Sequence, residues 1–165
     1  MSESEILKKD IQTTVYHELG HYYVARELGI VSLKPEFHQI HDKCENVIDE
    51  RLYTGRVRIM LSNPDNNRMI GLGGHICEYM LSVFHDEEGF HKIGNDFYFV
   101  DEREIEDDIN DLICNERISE SDKNLIGEFN TDDIINVLDI LKKRWHEIHI
   151  EANLIIDDLY KQIGL

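Results

Sequence analysis

The chain has 165 residues, of which 41% are hydrophobic, and these values predict one globular domain, residues 1–165, with its own core. Lys and Arg number 17 against 34 Asp and Glu, so the formal net charge is −17. Such an acidic chain is a poor partner for nucleic acid or for an anionic membrane, and we expect neither.

The cysteines and the N-terminal segment narrow the class of protein further. Cys44, Cys77 and Cys114 are odd in number and form no C-x-x-C pair, which argues against a disulfide framework or a thiolate zinc site. The N-terminal segment MSESEILKKD has no apolar core of a signal peptide, and no apolar run has the length of a membrane span. We therefore expect a soluble, cytoplasmic protein.

The first predicted helix carries the most specific motif of the chain. Ser2 and Glu5 have capping-box spacing, and apolar residues at three- and four-residue steps predict a helix to about Leu28, before Gly29. Its buried side contains the H-E-x-x-H sequence His17-Glu18-Leu19-Gly20-His21. Residues four apart lie on one helix face, so His17 and His21 can bind one metal ion, and Glu18 can reach a water on that ion. This geometry is typical of zinc hydrolases.

The next elements are predicted to be two or three short strands and a second helix. Alternating residues between Val31 and Leu61 indicate the strands, and a turn follows at residues 63–67. The second helix runs from about Arg68 to Phe84. It contains glycines that suit the close approach of another backbone, as does Gly20 on the first helix: Gly71, Gly73 and Gly74.

Two further helices are predicted after a loop over residues 85–100. Capping-box spacing at Asp101 and Glu104 predicts a helix over Glu102 to Arg117, and a polar connector follows it. The last helix begins near Asn130 or Thr131 and ends near Ile163, with apolar residues every 3.5 residues on average. Packing of this helix against its own core is favoured over a homodimeric coiled coil. The expected fold is mainly α (α+β), with a small two- to three-stranded sheet and a long C-terminal helix.

A catalytic zinc ion needs a third protein ligand besides the two histidines. Asp108 is the first choice, because it lies with apolar residues on the inward face of the predicted third helix, and a buried carboxylate is costly unless it is paired or bound to metal. Asp96 is the main alternative. Glu78, on the second helix, is a contender by composition, as a ligand or as a partner that orients a histidine.

Two stretches of the chain resemble one protein family. Residues Thr13 to Ile30, TTVYHELGHYYVARELGI, resemble the zinc helix of the FtsH-type ATP-dependent metalloproteases. Residues Ile70 to Met80, IGLGGHICEYM, resemble the next signature of that family, a Gly-Gly pair followed by a glutamate. The resemblance implies a Zn²⁺ peptidase whose third ligand is an aspartate on a later helix, and both Asp108 and Asp96 match that pattern loosely.

The chain also departs from that family. Leu19 replaces the usual alanine, His75 stands where an arginine is common, and the phosphate loop G-x-x-x-x-G-K-[ST] and the membrane helix are absent from the sequence. We therefore expect a stand-alone peptidase domain that accepts flexible polypeptide segments or short peptides. The long C-terminal helix is a candidate surface for a homo-oligomer or another partner.

Two other functions are compatible with the same residues. A non-catalytic metal-binding module for regulation or interaction would keep the fold and the metal but not the hydrolysis. A di-iron carboxylate bundle would use Glu18-x-x-His21 with a second such pair, and Glu88-x-x-His91 is the only other one in the sequence. That second pair lies in a glycine-containing loop, which disfavours the di-iron site.

Overall fold

The computed structural model describes residues 2–39, 53–83, 107, 109–111 and 118–165. The named elements are α1 (Glu3–Glu27), β1 (Glu36–Gln39), β2 (Tyr53–Arg56), α2 (Pro64–Val83), α3 (Glu120–Ile126) and α4 (Thr131–Ile163). The described residues are therefore mainly helical, with a two-stranded sheet and a long C-terminal helix, which confirms the predicted fold class. No helix within these ranges is long and apolar enough to cross a membrane.

Helix α1 is the central element of the core. A capping box begins it, because the Glu5 N–H donates to Ser2 Oγ at 3.2 Å and the Ser2 N–H donates to Glu5 Oε2 at 2.8 Å. Gly29, with φ of 71°, follows its C-terminal end. Every residue from 14 to 25 is buried. The predicted helix is thus confirmed, and in its second half it is buried on all sides rather than on one.

Helices α1 and α2 cross at two glycines. A Cβ atom added to Gly73 would lie 2.7 Å from the carbonyl oxygen of Gly20, closer than real Cβ atoms come to backbone. Because neither residue has a side chain, the two backbones pack directly against each other. The predicted close approach at these glycines is confirmed, and it brings α2 next to the H-E-x-x-H motif.

The small sheet lies beside the same part of α1. Strands β1 and β2 are antiparallel, with Glu36 opposite Arg56 and Gln39 opposite Tyr53. The Tyr53 N–H donates to the Asp10 carboxylate at 2.6 Å, which ties β2 to α1. Among the described residues of this region two strands form, where two or three were predicted.

Helix α4 packs along the core, as the sequence favoured. Its N-terminus has a second capping box, between Asn130 and Asp133, and Gly164, with φ of 75°, follows its last turn. The buried side contains Ile134, Val137, Leu138, Leu141, Trp145, Ile148, Ala152, Ile156 and Leu159. Ion pairs from Lys143 and Arg144 to Glu27, at 2.8 and 3.0 Å, hold it to the end of α1.

The region predicted to be a polar connector contains helix α3, and here the prediction was wrong. Ser119 is the N-cap of this helix. The hydrophobic C-terminal end of the helix packs against α2, where a Cβ added to Gly71 would lie 2.7 Å from Ile126 Cγ1. The predicted third helix lies mostly outside the described residues. Within it, residues 107 and 109–111 are helical, and Ile109 is fully buried.

Candidate metal centre

One turn of α1 places the two motif histidines side by side. His17 Nε2 lies 2.9 Å from His21 Nε2, and the rings meet edge to face with centroids 4.5 Å apart. His17 and His21 are 7% and 5% exposed. The four-residue spacing on a helix accounts for the convergence of these two nitrogens, as the sequence predicted.

A hydrogen bond to the backbone of α2 orients the His21 ring. Its Nδ1 lies 2.7 Å from the carbonyl oxygen of Ile70, on α2, and a carbonyl can only accept a hydrogen bond. Nδ1 therefore donates a hydrogen bond to this carbonyl, and the ring is held with Nε2 toward His17 and Asp122. A backbone carbonyl bonded to the second ring nitrogen is a common way to orient a metal-binding histidine.

Asp122, on α3, completes a triangle of donor atoms. Its Oδ2 lies 3.1 Å from His17 Nε2, and its Oδ1 lies 3.5 Å from His21 Nε2. Ligand atoms around a tetrahedral zinc ion, with bonds of about 2.0–2.1 Å, lie about 3.3 Å apart. The spacing of the three groups thus matches that of a metal site, and together they form a buried cluster that can hold a metal ion.

The N-terminus of α3 positions Asp122. The Asp122 N–H donates to Ser119 Oγ at 3.2 Å, so this residue occupies the third position of the helix, in its first turn. Sequence reasoning missed Asp122, although Ser119 and Asp122 have the spacing of a helix start before the apolar pair Leu125-Ile126. Asp108 and Asp96 lie outside the described residues, and their role as ligands stays a prediction.

Gly74, on α2, makes room for both imidazoles. A Cβ atom at this position would lie 2.6 Å from His21 Nε2 and 2.8 Å from His17 Cε1. The glycine therefore forms one wall of the metal centre, and any side chain here would occupy the space of the rings. The sequence indicated a close approach at Gly74, but toward another backbone rather than toward histidines.

Glu18 lies on the side of the cluster that faces the sheet. It is 9% exposed, and a Cβ added to Gly55 of β2 would lie 3.1 Å from its Cδ and 3.2 Å from its Oε1. The absence of a side chain at Gly55 therefore leaves space for the Glu18 carboxyl group. The side chain of Glu18, the predicted general base, thus extends from α1 toward β2, and the residue is the neighbour of His17 in the sequence.

Two more residues of α2 surround the histidines. Glu78 Oε2 lies 3.5 Å from His17 Nδ1 and 3.8 Å from His75 Nδ1. On its other side, His75 Nε2 lies 3.3 Å from Asp122 Oδ2. The rings of His17 and His75 meet edge to face at 4.8 Å. Glu78 was a candidate from the sequence, whereas His75 had been noted only as a departure from the family.

The carboxylates and burial shift the pKa values of the cluster. Burial by itself lowers the pKa of His17, but the charge of Glu78 and hydrogen bonding to Asp122 and Glu78 outweigh it and raise that pKa to about 10. Burial would raise the pKa of Asp122, but hydrogen bonding to His17, His21 and His75 lowers it far below its usual range. Burial lowers the pKa of His75. Without a metal ion, His17 therefore carries the positive charge that pairs with Asp122.

The arrangement places two imidazole nitrogens, a carboxylate donor and an adjacent carboxylate in one buried cluster. Such a donor set suits zinc and other transition-metal ions. No protein-family model matches this sequence, and a search of curated proteins finds no match to it.

Proposed function

We propose that the protein is a zinc-dependent peptidase in which His17, His21 and Asp122 hold the ion and Glu18 is the general base. The observation that carries this proposal is the triangle of His17 Nε2, His21 Nε2 and the Asp122 carboxylate, with sides of 2.9, 3.1 and 3.5 Å. Three protein ligands leave the fourth position of a tetrahedral ion open, as catalytic zinc sites require.

The roles of the side chains follow from their chemistry. A bound zinc ion supplies a Lewis acid that makes water a better nucleophile and polarises a carbonyl group. Glu18 accepts the proton of the attacking water and passes it to the leaving amine. The Ile70 carbonyl orients the His21 imidazole through Nδ1, and Gly55 keeps space for the Glu18 carboxylate.

The resemblance to the FtsH-type peptidases supports the same reaction. It implies two histidines and a glutamate on one helix, a Gly-Gly pair on the next, and an aspartate from a later helix. Asp122 lies on such a later helix, α3, and is the described aspartate next to the histidines. We propose flexible polypeptide segments or short peptides as substrates.

The Glu18→Gln variant tests the proposal most directly. The zinc-loaded protein should cleave an unstructured, fluorescently labelled protein such as casein. The variant should lose hydrolysis by about 10²–10⁴-fold, the usual contribution of a general base, while it keeps its bound zinc. Glu147→Gln, at an exposed position of α4, is the matched control and should behave as wild type. Equal hydrolysis by wild type and Glu18→Gln would contradict the role of Glu18.

A non-catalytic metal-binding module is the second candidate, and the burial of the site favours it. His17, Glu18, His21 and Asp122 are all between 5% and 9% exposed, which also suits a structural metal ion. This alternative predicts bound zinc and no hydrolysis of any peptide library. Removal of the ion with a chelator would then lower the melting temperature without the loss of any activity.

A further inference from the structure

A second group of donor atoms lies on the opposite side of His17. Glu78 Oε2 is 3.5 Å from His17 Nδ1 and 3.8 Å from His75 Nδ1. His17, His75 and Glu78 offer two imidazole nitrogens and a carboxylate oxygen within 4.8 Å of one another. This set is similar in chemistry to the first one, and it uses the nitrogen of His17 that does not face Asp122.

The buried Nδ1 of His17 supports a role for this second group. Its charged partner is the Glu78 carboxylate, whose Oε2 lies 3.5 Å away. A metal-binding histidine normally donates its other N–H to a nearby acceptor, and Glu78 can accept from His17 Nδ1 while Nε2 binds the first ion. The 3.5 Å separation is also close to the ~3.3 Å between two ligand atoms of one zinc ion, so the same two atoms can bind a second ion.

The charge of the cluster also favours a second cation. Three carboxylates, those of Glu18, Glu78 and Asp122, surround the histidines, and Glu18 and Asp122 are each 9% exposed. A second divalent ion beside Glu78 would offset part of the negative charge that these carboxylates concentrate around the histidines.

We propose that the cluster binds two divalent metal ions that share His17. The first ion binds His17 Nε2, His21 and Asp122, and the second binds His17 Nδ1, His75 and Glu78. Binding of the second ion releases the remaining ring proton of His17 to solvent, because metal ligands must be deprotonated. The second position rests on the metal site of the proposed function, since one imidazole serves both ions.

Zinc stoichiometry tests this inference. The full chain is stripped with a chelator, titrated with Zn²⁺ by calorimetry, and analysed for bound zinc after gel filtration. Wild type should bind two ions per chain, and Glu78→Gln and His75→Asn should each bind one. His146→Asn, at an exposed position of α4, is the matched control and should bind two. Circular dichroism checks that each variant is folded, and Glu78→Gln, which keeps the side-chain shape, is the decisive one.

The Cu²⁺-loaded protein gives an independent readout of the shared ligand. Two Cu²⁺ ions bridged by one imidazolate couple magnetically, so wild type with two ions should show less EPR intensity than two isolated ions. One zinc ion in wild type, together with peptide hydrolysis, would refute the second position and leave the proposed function intact. No bound zinc would refute both. Two ions in Glu78→Gln would refute the ligand assignment of Glu78.

Discussion

The Gly74→Ala variant tests whether the space beside the two imidazoles is needed for metal binding. The added methyl group would lie 2.6 Å from His21 Nε2 and 2.8 Å from His17 Cε1, about 1 Å inside the usual contact distance of 3.5–4.0 Å. Helix α2 cannot move back freely, because the Gly20–Gly73 crossing fixes its distance from α1. The rings must therefore turn away from the added methyl group.

The cost of this change falls on metal affinity. Overpacking by one methyl group costs about 1–3 kcal/mol, and every ~1.4 kcal/mol is a tenfold change in an equilibrium constant. We expect zinc affinity to fall by roughly 10- to 100-fold if most of that cost is paid when the rings are held in place for the ion. Competition with a chromophoric chelator measures this directly.

The control for Gly74→Ala is Gly73→Ala. Its methyl group would meet Gly20 O at 2.7 Å and Val24 Cγ2 at 2.8 Å, neither of which is a metal ligand. Gly73→Ala should therefore lower the melting temperature of the metal-free protein and leave zinc affinity close to that of wild type. Gly74→Ala should lower zinc affinity and change the melting temperature of the metal-free protein less than Gly73→Ala does. If Gly74→Ala bound zinc with wild-type affinity, the packing of the His17 and His21 rings against Gly74 would be refuted.

Three further predictions concern the ligands, the base and pH. Asp122→Asn should weaken zinc binding by at least tenfold, whereas Asp108→Asn should not, and the opposite result would restore Asp108 as the third ligand. Gly55→Ala, which crowds Glu18, should slow hydrolysis at unchanged zinc content, and equal rates would argue against this contact. The pKa of His17 is raised from 6.5 to about 10, so its contribution to the stability of the metal-free protein is complete below pH 6.5 and is lost as pH rises through about 10. Melting temperatures in a chelator should fall over that window and stay level with saturating zinc, and a rise with pH in the chelator would contradict the assignment.

Local features of the fold could be predicted because they depend on neighbouring residues. The capping box at Ser2, the glycine after α1 and the apolar periodicity of α4 each act within a few residues, and the structure has the helices that they indicate. The sequence favoured the burial of α4 against its own core but left a coiled coil open, since an apolar stripe with a period of 3.5 residues suits either partner. Helix α3 was missed because it has only seven residues, and its polar first turn is typical of a connector.

The sequence by itself determined that His17 and His21 converge, because four residues make about one helical turn and no other part of the chain is needed for that geometry. Only the tertiary structure decided which other groups meet them. Asp122 is 105 residues from His17, and it arrives through the packing of Ile126 on Gly71 and the Ser119 cap, which no periodicity records. His75 and Glu78 likewise lie next to His17 only because Gly20 and Gly73 let the backbones of α1 and α2 touch. Side-chain spacing along one helix thus specifies half of the metal centre, and contact between helices supplies the rest.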